Sequence, residues 1–475
     1  MNLSEARNLE YSSRDEKPFG IKDKLGYLFG DFGNDFMFVF ANMYFMIFYT
    51  KILGVSAAMV GTCFLVARCV DAFTDIAIGR IIDKSKPTKH GKFRTWILRI
   101  AGPVTLMNFL MYQHSLVNAS MTVKIVVMFA TYILWGSIFY TAINIPYGSM
   151  ASVMSKDTKD RASLSTWRTL GASFAGIIIG ALTPQVIYTA DALGNQIIDP
   201  QKFTLVVAVF SIAAFICYML CFVLTTERIK PEFKENQEAL SLKDTFKAII
   251  TNKAMVSLVA ISIFTIFSML MAQTVNTYLC IDYFNNVNAL STLSMLSLPV
   301  YLIVGSMAAK LAEKFGKREV SMIGLFIAGL IFLIAYFIKV KNAYVFLAIY
   351  AAATFGTAMF GMLSWAFITD VIDYNEIKTG ERNDATIYGA YSFTRKLGQA
   401  FAGALTGYAL TFIGYDSIAA VQTESVKMGI YSLSTLFPAA CYILAGLLLM
   451  FTYPLTKKVV QENIAKLARL HEAKN

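Results

Sequence analysis

Residues 58–82 read AMVGTCFLVARCVDAFTDIAIGRII, a run long and apolar enough to cross a bilayer that nevertheless carries Arg68, Asp71 and Asp75. A spanning helix needs about 20 mostly apolar residues, and an ionised side chain near its centre costs at least about 2.5–3.5 kcal/mol. At about 100° per residue, Asp71 and Asp75 lie one turn apart on one face, with Thr74 beside them and Arg68 one turn earlier. That face cannot look at lipid. It is expected to line a polar path, with Asp71 and Asp75 holding a small cation and Arg68 acting as a fixed counter-charge.

The rest of the chain has the same character. Of 475 residues 56% are hydrophobic and only 15% charged, and mean hydropathy is +0.55, whereas soluble proteins carry about 25% charged residues. Apolar runs of spanning length recur throughout, which predicts an all-α membrane protein with twelve transmembrane helices at 27–50, 58–82, 95–115, 122–150, 163–188, 203–225, 255–281, 288–310, 319–338, 343–372, 385–414 and 427–453. Lys and Arg gather in the amino-terminal tail, in loops 83–94, 153–162, 226–254, 311–318 and 373–384, and in the carboxyl-terminal tail. Alternate basic loops are the positive-inside pattern, so both termini are expected to be cytoplasmic in a multi-pass cell-membrane protein. The net charge of +11 then reports orientation beside anionic lipid, with no call for nucleic acid.

The long charged connection 226–254 divides the chain into an amino-terminal six-helix half (1–225) and a carboxyl-terminal one (255–453), followed by a cytoplasmic tail (454–475). Within the linker, 240–250 is patterned as an amphipathic surface helix. A tight basic loop follows both the second and the eighth span, a weak internal echo. Two six-helix halves are a common transporter plan, with substrate bound between them near the midplane. Residues 1–24 are polar and lack the apolar core of a removable signal peptide. The six cysteines lie in apolar spans without ligand spacing and read as small core residues.

Other polar residues sit at helical spacing inside the spans. Asp31, Asn34 and Asp35 form an i, i+3, i+4 face; Asp31 lies near the cytoplasmic end, within reach of headgroups, while Asp35 is deeper and suits a polar cavity or an arginine partner such as Arg68. Thr141, Asn144 and Gly148 share a face, beside Tyr147, that fits a sugar, a cation shell or interhelical hydrogen bonding; Pro146 adds a kink. Arg168 has no acidic neighbour one turn away on its own span, which points it to a cavity or, by snorkelling, to the interface. Asp370 and Asp373 end the tenth span, and with Glu376, Lys378, Glu381 and Arg382 in the next loop they read as a salt-bridged gate. In span eleven, Tyr388, Ser392 and Lys396 share a face near Tyr391, and Arg395 points about 100° away from Lys396.

The runs Gly30-Asp31-Phe32-Gly33-Asn34-Asp35-Phe36, Arg68-x-x-Asp71-Ala72-x-x-Asp75, Gly91-Lys92-Phe93-Arg94, Asn144-Ile145-Pro146-Tyr147-Gly148-Ser149 and Asp373-Tyr374-x-Glu376-x-x-Thr379-Gly380-x-Arg382 resemble the glycoside–pentoside–hexuronide:cation symporters, in order and over nearly the whole chain. Tyr391-Ser392-Phe393-Thr394-Arg395-Lys396-x-Gly398-Gln399-Ala400 and Tyr453-Pro454-Leu455-Thr456 look most like the glucuronide carrier branch. The resemblance implies a major facilitator fold and sugar uptake driven by Na⁺ or H⁺, with no other cofactor. Its melibiose-transporter branch implies a cation site at Asp71, Thr74, Asp75 and Thr141. It also implies a sugar site at Asp35, Arg168 and Asn144, with Lys396 contributing from the second half; Asn34, Tyr147, Tyr391 and Ser392 join the expected substrate set.

This chain departs from that branch in having Asn34 for a lysine, Asn144 for an aspartate, Thr74 for an asparagine, and Gly148 and Gly361 for tryptophans. Loss of an acid beside Arg168 and Lys396 makes the pocket more electropositive, which suits a glucuronide or related hexuronide or pentoside; a neutral glycoside such as a xyloside or galactoside and, further off, a lysolipid are the alternatives. The expected partners are thus a glycoside, a coupling cation and membrane lipid, for a chain working as a monomer. The three histidines (His90, His114, His471) lack ligand or catalytic spacing, so no enzyme is expected.

Overall fold

Short polar side chains open most of the helices, because the first N–H groups of a helix need acceptors that the helix itself does not supply. The computed structural model describes residues 18–155, 157–229, 252–379, 384–417, 419 and 421–474. Helix α1 (Ile21–Ile47) runs on into a π turn, Phe48–Ile52. Ser56 caps α2 (Ala57–Lys84), and α3 (Phe93–Leu110) follows. Ser120 caps α4 (Met121–Met154), which contains a second π turn at Leu134–Tyr140. Asp157 caps α5 (Thr158–Ile187), and Asp199 caps α6 (Pro200–Leu224) with Pro200 in the first turn, where its missing N–H costs nothing. Between α5 and α6 lies a small antiparallel hairpin, β1 (Tyr188–Ala190) and β2 (Gln196–Ile198). Its turn is built on Asp191, whose carboxylate accepts the N–H groups of Leu193 and Asn195 at 2.8 Å each.

The second set repeats the plan. Asn252 caps α7 (Lys253–Tyr278), which also ends in a π turn, and Asn286 caps α8 (Val287–Phe315). Then come α9 (Lys317–Ile338), α10 (Ala343–Thr379), α11 (Asp384–Phe412), α12 (Glu424–Phe451) and a polar α13 (Lys457–Lys474). The twelve expected spans correspond one for one to α1–α12. Among the described residues nine helices are long and apolar enough to cross a membrane; α1, α3 and α11 have the length but a lower mean hydropathy, to which Asp31 and Asp35, Arg94 and Arg99, and Arg395 and Lys396 contribute respectively.

The chain divides into two compact units, one holding α1–α6 and the other α7–α13. In the first, α1 packs against α5 and α6, α2 against α4, and α3 against α6 and α4. At the carboxyl-terminal end of α1 an aromatic cluster forms its core, with Phe40 edge-on to Tyr112 and Phe48 against Phe203. In the second, α9 packs on α10 and α12, α7 on α12 and α11, and α8 on α10, around Leu258, Ile261, Phe332, Phe367 and Tyr442. Each unit turns an apolar helix face outward: Leu205, Val209, Ile212, Ile216 and Val223 on α6, and Ile323, Ile327, Leu330, Ile334 and Phe337 on α9. Apolar stripes of this length at helical spacing are lipid-facing surface. This is a multi-pass membrane protein.

Several boundaries move. The expected span 343–372 continues as helix to Thr379, so Asp370, Asp373 and Glu376 lie within α10, not at a helix end and in a loop. Polarity suggested the end; the helix persists because no breaker precedes Gly380 and because Asp370 is paired and Glu376 buried. The expected loop 311–318 shrinks to Gly316 alone between α8 and α9. The amphipathic segment 240–250 lies outside the described residues.

The internal echo has a physical basis within each unit. Arg94, after α2, donates through Nε to Phe222 O at 3.0 Å and through Nη2 to the same carbonyl, at the end of α6. Arg318, after α8, donates to Leu449 O (2.8 Å) and Met450 O (2.5 Å) at the end of α12. The first turn of the third helix of each unit thus places a guanidinium on the carboxyl end of that unit's last spanning helix, where orphan carbonyls and the helix dipole favour a cation.

The strand of chain leaving α6 ties the first unit together. Glu227 is fully buried, and its carboxylate accepts the N–H groups of Lys92 (2.8 Å) and Arg94 (2.7 Å), capping α3 from outside that helix. Arg228 pairs with Asp23 of α1 at 2.8 Å and donates to Met154 O of α4 at 3.1 Å. Burial pushes the Glu227 carboxyl above the usual carboxylate range, against the backbone N–H groups that favour its charged form. The folded protein therefore holds this proton more tightly than the unfolded chain. The linked stability is fully present below the ordinary glutamate value of about 4.3 and is lost as pH rises through the elevated folded value. Thermal unfolding in detergent at fixed scan rate checks this: the melting temperature of the wild type should gain on that of Glu227→Gln as pH falls from about 7 towards 4. A difference independent of pH would contradict it.

Candidate functional site

The α2 acids acquire the partners that their spacing leaves undefined. Arg68 Nη1 lies 2.8 Å from Asp71 Oδ2, one turn along the same face. The other Asp71 oxygen, Oδ1, is buried with no hydrogen-bond partner among the described residues. Asp75 Oδ1 accepts the Thr141 hydroxyl of α4 at 3.1 Å. Thr74 donates its own hydroxyl back to Val70 O at 3.1 Å, which leaves its oxygen lone pairs able to accept. Among the described residues the cluster brings together the carboxylates of Asp71 and Asp75, the guanidinium of Arg68 and the hydroxyl of Thr141. Oxygen ligands from two helices, with one of them orphaned, are the donor set that a hard monovalent cation prefers.

Thr141 reaches Asp75 because of the π turn that precedes it. That turn, Leu134–Tyr140, docks on α2 through Ser137 Oγ, which donates to Ala67 O at 3.2 Å. Single π turns inside helices recur at functional sites. Pro146 pointed to irregularity in this helix, but the distortion sits two turns earlier, where no sequence signal marks it.

Beyond Thr141, α4 leads to a second group of residues. Asn144 is half-buried, and Tyr147 is buried at 1% exposure with its hydroxyl donating to Tyr27 O at 2.7 Å. The Tyr147 ring stacks on Tyr27 at 4.6 Å and lies 5.4 Å beneath the Arg168 guanidinium of α5. Arg168 Nε is 3.0 Å from Asp31 Oδ1, an ion pair in which the arginine side chain keeps 42% exposure and the aspartate 9%. Among the described residues the two terminal nitrogens of Arg168 make no hydrogen bond. Asp35, one turn from Asp31 on α1, is half-buried and likewise has neither hydrogen bond nor ion pair among the described residues.

Some expected substrate residues are placed otherwise. Asn34 is buried, its Oδ1 accepting the Tyr218 hydroxyl of α6 at 2.8 Å. Neighbouring helix positions point about 100° apart, so α1 turns Asn34 into the bundle while Asp35 stays partly open. Tyr147 supports Arg168 from below and has no open face. Tyr391 is also buried; Ser262 Oγ of α7 donates to its hydroxyl at 3.1 Å, and its ring meets Trp365 edge-on. Arg395 lies over the Trp365 and Tyr391 rings, at 5.6 and 6.0 Å. The side chains of Ser392 and Lys396, and the whole of Arg382, lie outside the described residues. Asp370 pairs with Lys317 at 2.6 Å, and Asp373 lines a shallow concavity with it beside Val460, Asn463 and Ile464 of α13.

The group that sequence reasoning missed is Asp31. An interfacial role fits its position along α1 equally well, and its partner lies 137 residues away on another helix. The one usable signal was the need of an intramembrane arginine for a counter-charge.

A bundle of apolar helices with a carboxylate pair and a paired but half-exposed arginine inside one unit is a membrane protein with a polar site among its spans, and its family makes it a membrane transporter, not an enzyme. The family model for MFS/sugar transport proteins matches residues 26–457, and the chain belongs to that sugar-transporting branch of the major facilitator superfamily. It is 34% identical over 460 residues to "Uncharacterized symporter YjmB" of Bacillus subtilis (strain 168), covering 95% of this chain and 96% of the relative. It is 30% identical over 448 residues to the "Glucuronide carrier protein homolog" of Escherichia coli (strain K12), covering 93% and 94%. Among solved structures, a D-xylose-proton symporter superposes with a TM-score of 0.62 at 13% identity, over 91% of this chain and 97% of that one, a likeness of fold.

Proposed function

We propose that the chain imports a glycoside bearing an acidic group, a glucuronide or related hexuronide, together with one monovalent cation, Na⁺ or H⁺. The observation that supports the coupling is Asp71 Oδ1, buried beside the Arg68 ion pair and unpartnered among the described residues, with Asp75 one turn further along the same helix. Two carboxylates on successive turns repel until a positive charge joins them. A cation there draws in Thr141 together with Asp75, and Thr141 sits one turn before Asn144 and two before Tyr147, the support of Arg168. Helix α4 then links cation to sugar, and the π turn before Thr141 supplies the slack. Such coupling is typically about 1–3 kcal/mol and acts equally in both directions.

The acidic group is supported by the open terminal nitrogens of Arg168, a fork that matches a carboxylate, and by similarity to a glucuronide carrier homolog. A neutral glycoside is the second reading, because Asp31, Asp35 and Arg168 together also sum to one negative charge and Asp35 offers acceptors to sugar hydroxyls. We place the protein in the cell membrane with both termini cytoplasmic, on the distribution of Lys and Arg. Uptake of labelled glucuronides and neutral glycosides into vesicles, with Na⁺ and pH gradients imposed separately, tests the whole. Accumulation of a glucuronide under one gradient alone is expected; accumulation independent of both would contradict it.

A further inference from the structure

Resting on the reading of Arg168 as the group that meets the sugar's anion, we propose that Asp31 is the positioning residue that aims it and so sets the preference for an acidic over a neutral sugar. Two contacts hold the guanidinium, one of them braced from behind. Asp31 takes Nε at 3.0 Å, the Tyr147 ring lies under its face at 5.4 Å, and Tyr147 is itself fixed by its bond to Tyr27 O at 2.7 Å and by stacking on the Tyr27 ring. A planar group held at one nitrogen and one face has its plane decided. The donors that remain are those of the two terminal nitrogens.

The backbone around this pair is equally constrained. A side chain at Gly30, next to Asp31, would run into the Tyr147 ring and Cys221 Sγ. A Cβ at Gly171, three residues past Arg168, would lie 2.5 Å from Leu28 O. Helix α1 is therefore pressed against α4 and α5 on either side of the ion pair, by two positions that hold only glycine. Asp31 is 6% exposed, too enclosed to serve headgroups or to reach substrate itself. Its carboxylate acts through Arg168. It keeps the cation paired when the site is empty and presents the free edge of the guanidinium in one orientation.

The test uses the full chain in proteoliposomes, with p-nitrophenyl β-D-glucuronide and p-nitrophenyl β-D-glucoside as paired probes. Asp31→Ala should raise the KM for the glucuronide about tenfold relative to the glucoside, with maximal rate little changed. Asp31→Asn, which still offers an oxygen to Nε, should recover most of that ratio. Equal shifts for both sugars, or no rescue by asparagine, would overturn the role of Asp31. Arg168→Ala separates the two claims: an unchanged ratio in that variant removes the underlying reading of Arg168, whereas a changed ratio with Asp31→Ala indifferent removes the Asp31 proposal alone. Should the wild type carry neither probe, phenylglyoxal labelling of Arg168, followed by mass spectrometry, gives a readout free of substrate. Labelling several-fold faster in Asp31→Ala than in wild type and Asp31→Asn supports the proposal; equal rates in all three overturn it.

Discussion

Replacing Asp71 or Asp75 by cysteine is expected to abolish cation-driven accumulation of sugar while leaving downhill exchange in place. With one cation per acidic sugar the cycle moves no net charge, so a tenfold cation gradient, worth about 1.4 kcal/mol, sustains about tenfold accumulation. For a neutral sugar the membrane potential adds about 2.3 kcal/mol per 100 mV, roughly a further fiftyfold. Either ratio should fall to one in the variants. Asp71→Cys leaves Arg68 without its 2.8 Å partner, and Asp75→Cys takes the acceptor from Thr141; each removes a carboxylate that the proposed cation would meet. Vesicle uptake with and without a gradient measures this. Full accumulation in both variants would remove the cation site from α2.

The second large effect is expected at Arg168. Hydrogen bonds to charged groups contribute about 1.5–3 kcal/mol, so Arg168→Ala should raise the KM for a glucuronide roughly 10- to 100-fold and that for the matching neutral glycoside much less. Competition between the two labelled sugars reports the difference directly. Because the variant also leaves Asp31 buried without its partner, protein yield and melting temperature should be compared alongside. Equal loss for both sugars would favour the neutral-glycoside reading.

How much of this was legible in the sequence follows from where the information resides. Twelve spans are visible because hydropathy over about 20 residues is a local property, and the face shared by Arg68, Asp71 and Asp75 is visible because i, i+3 and i+4 neighbours belong to one helix. Contacts between helices are different. Nothing near Arg168 names Asp31, and nothing near Asn34 names Tyr218. Helix direction decides the outcome: Asn34 and Asp35 are adjacent in sequence, yet one is sealed against α6 and the other stays partly open. Polarity misplaced the end of α10 for a related reason, since Asp370 is tolerated inside the helix by Lys317, a residue of α9. The π turn that brings Thr141 to Asp75 left no local mark.

The cation-to-sugar flux ratio, measured in proteoliposomes at the balance point between opposing cation and sugar gradients, tests the central claim most directly. The one buried, unpartnered carboxylate oxygen at Asp71, beside Asp75 and Thr141, leads us to expect one monovalent cation per sugar. A ratio of two, or a balance point that does not move with the cation gradient, would contradict it.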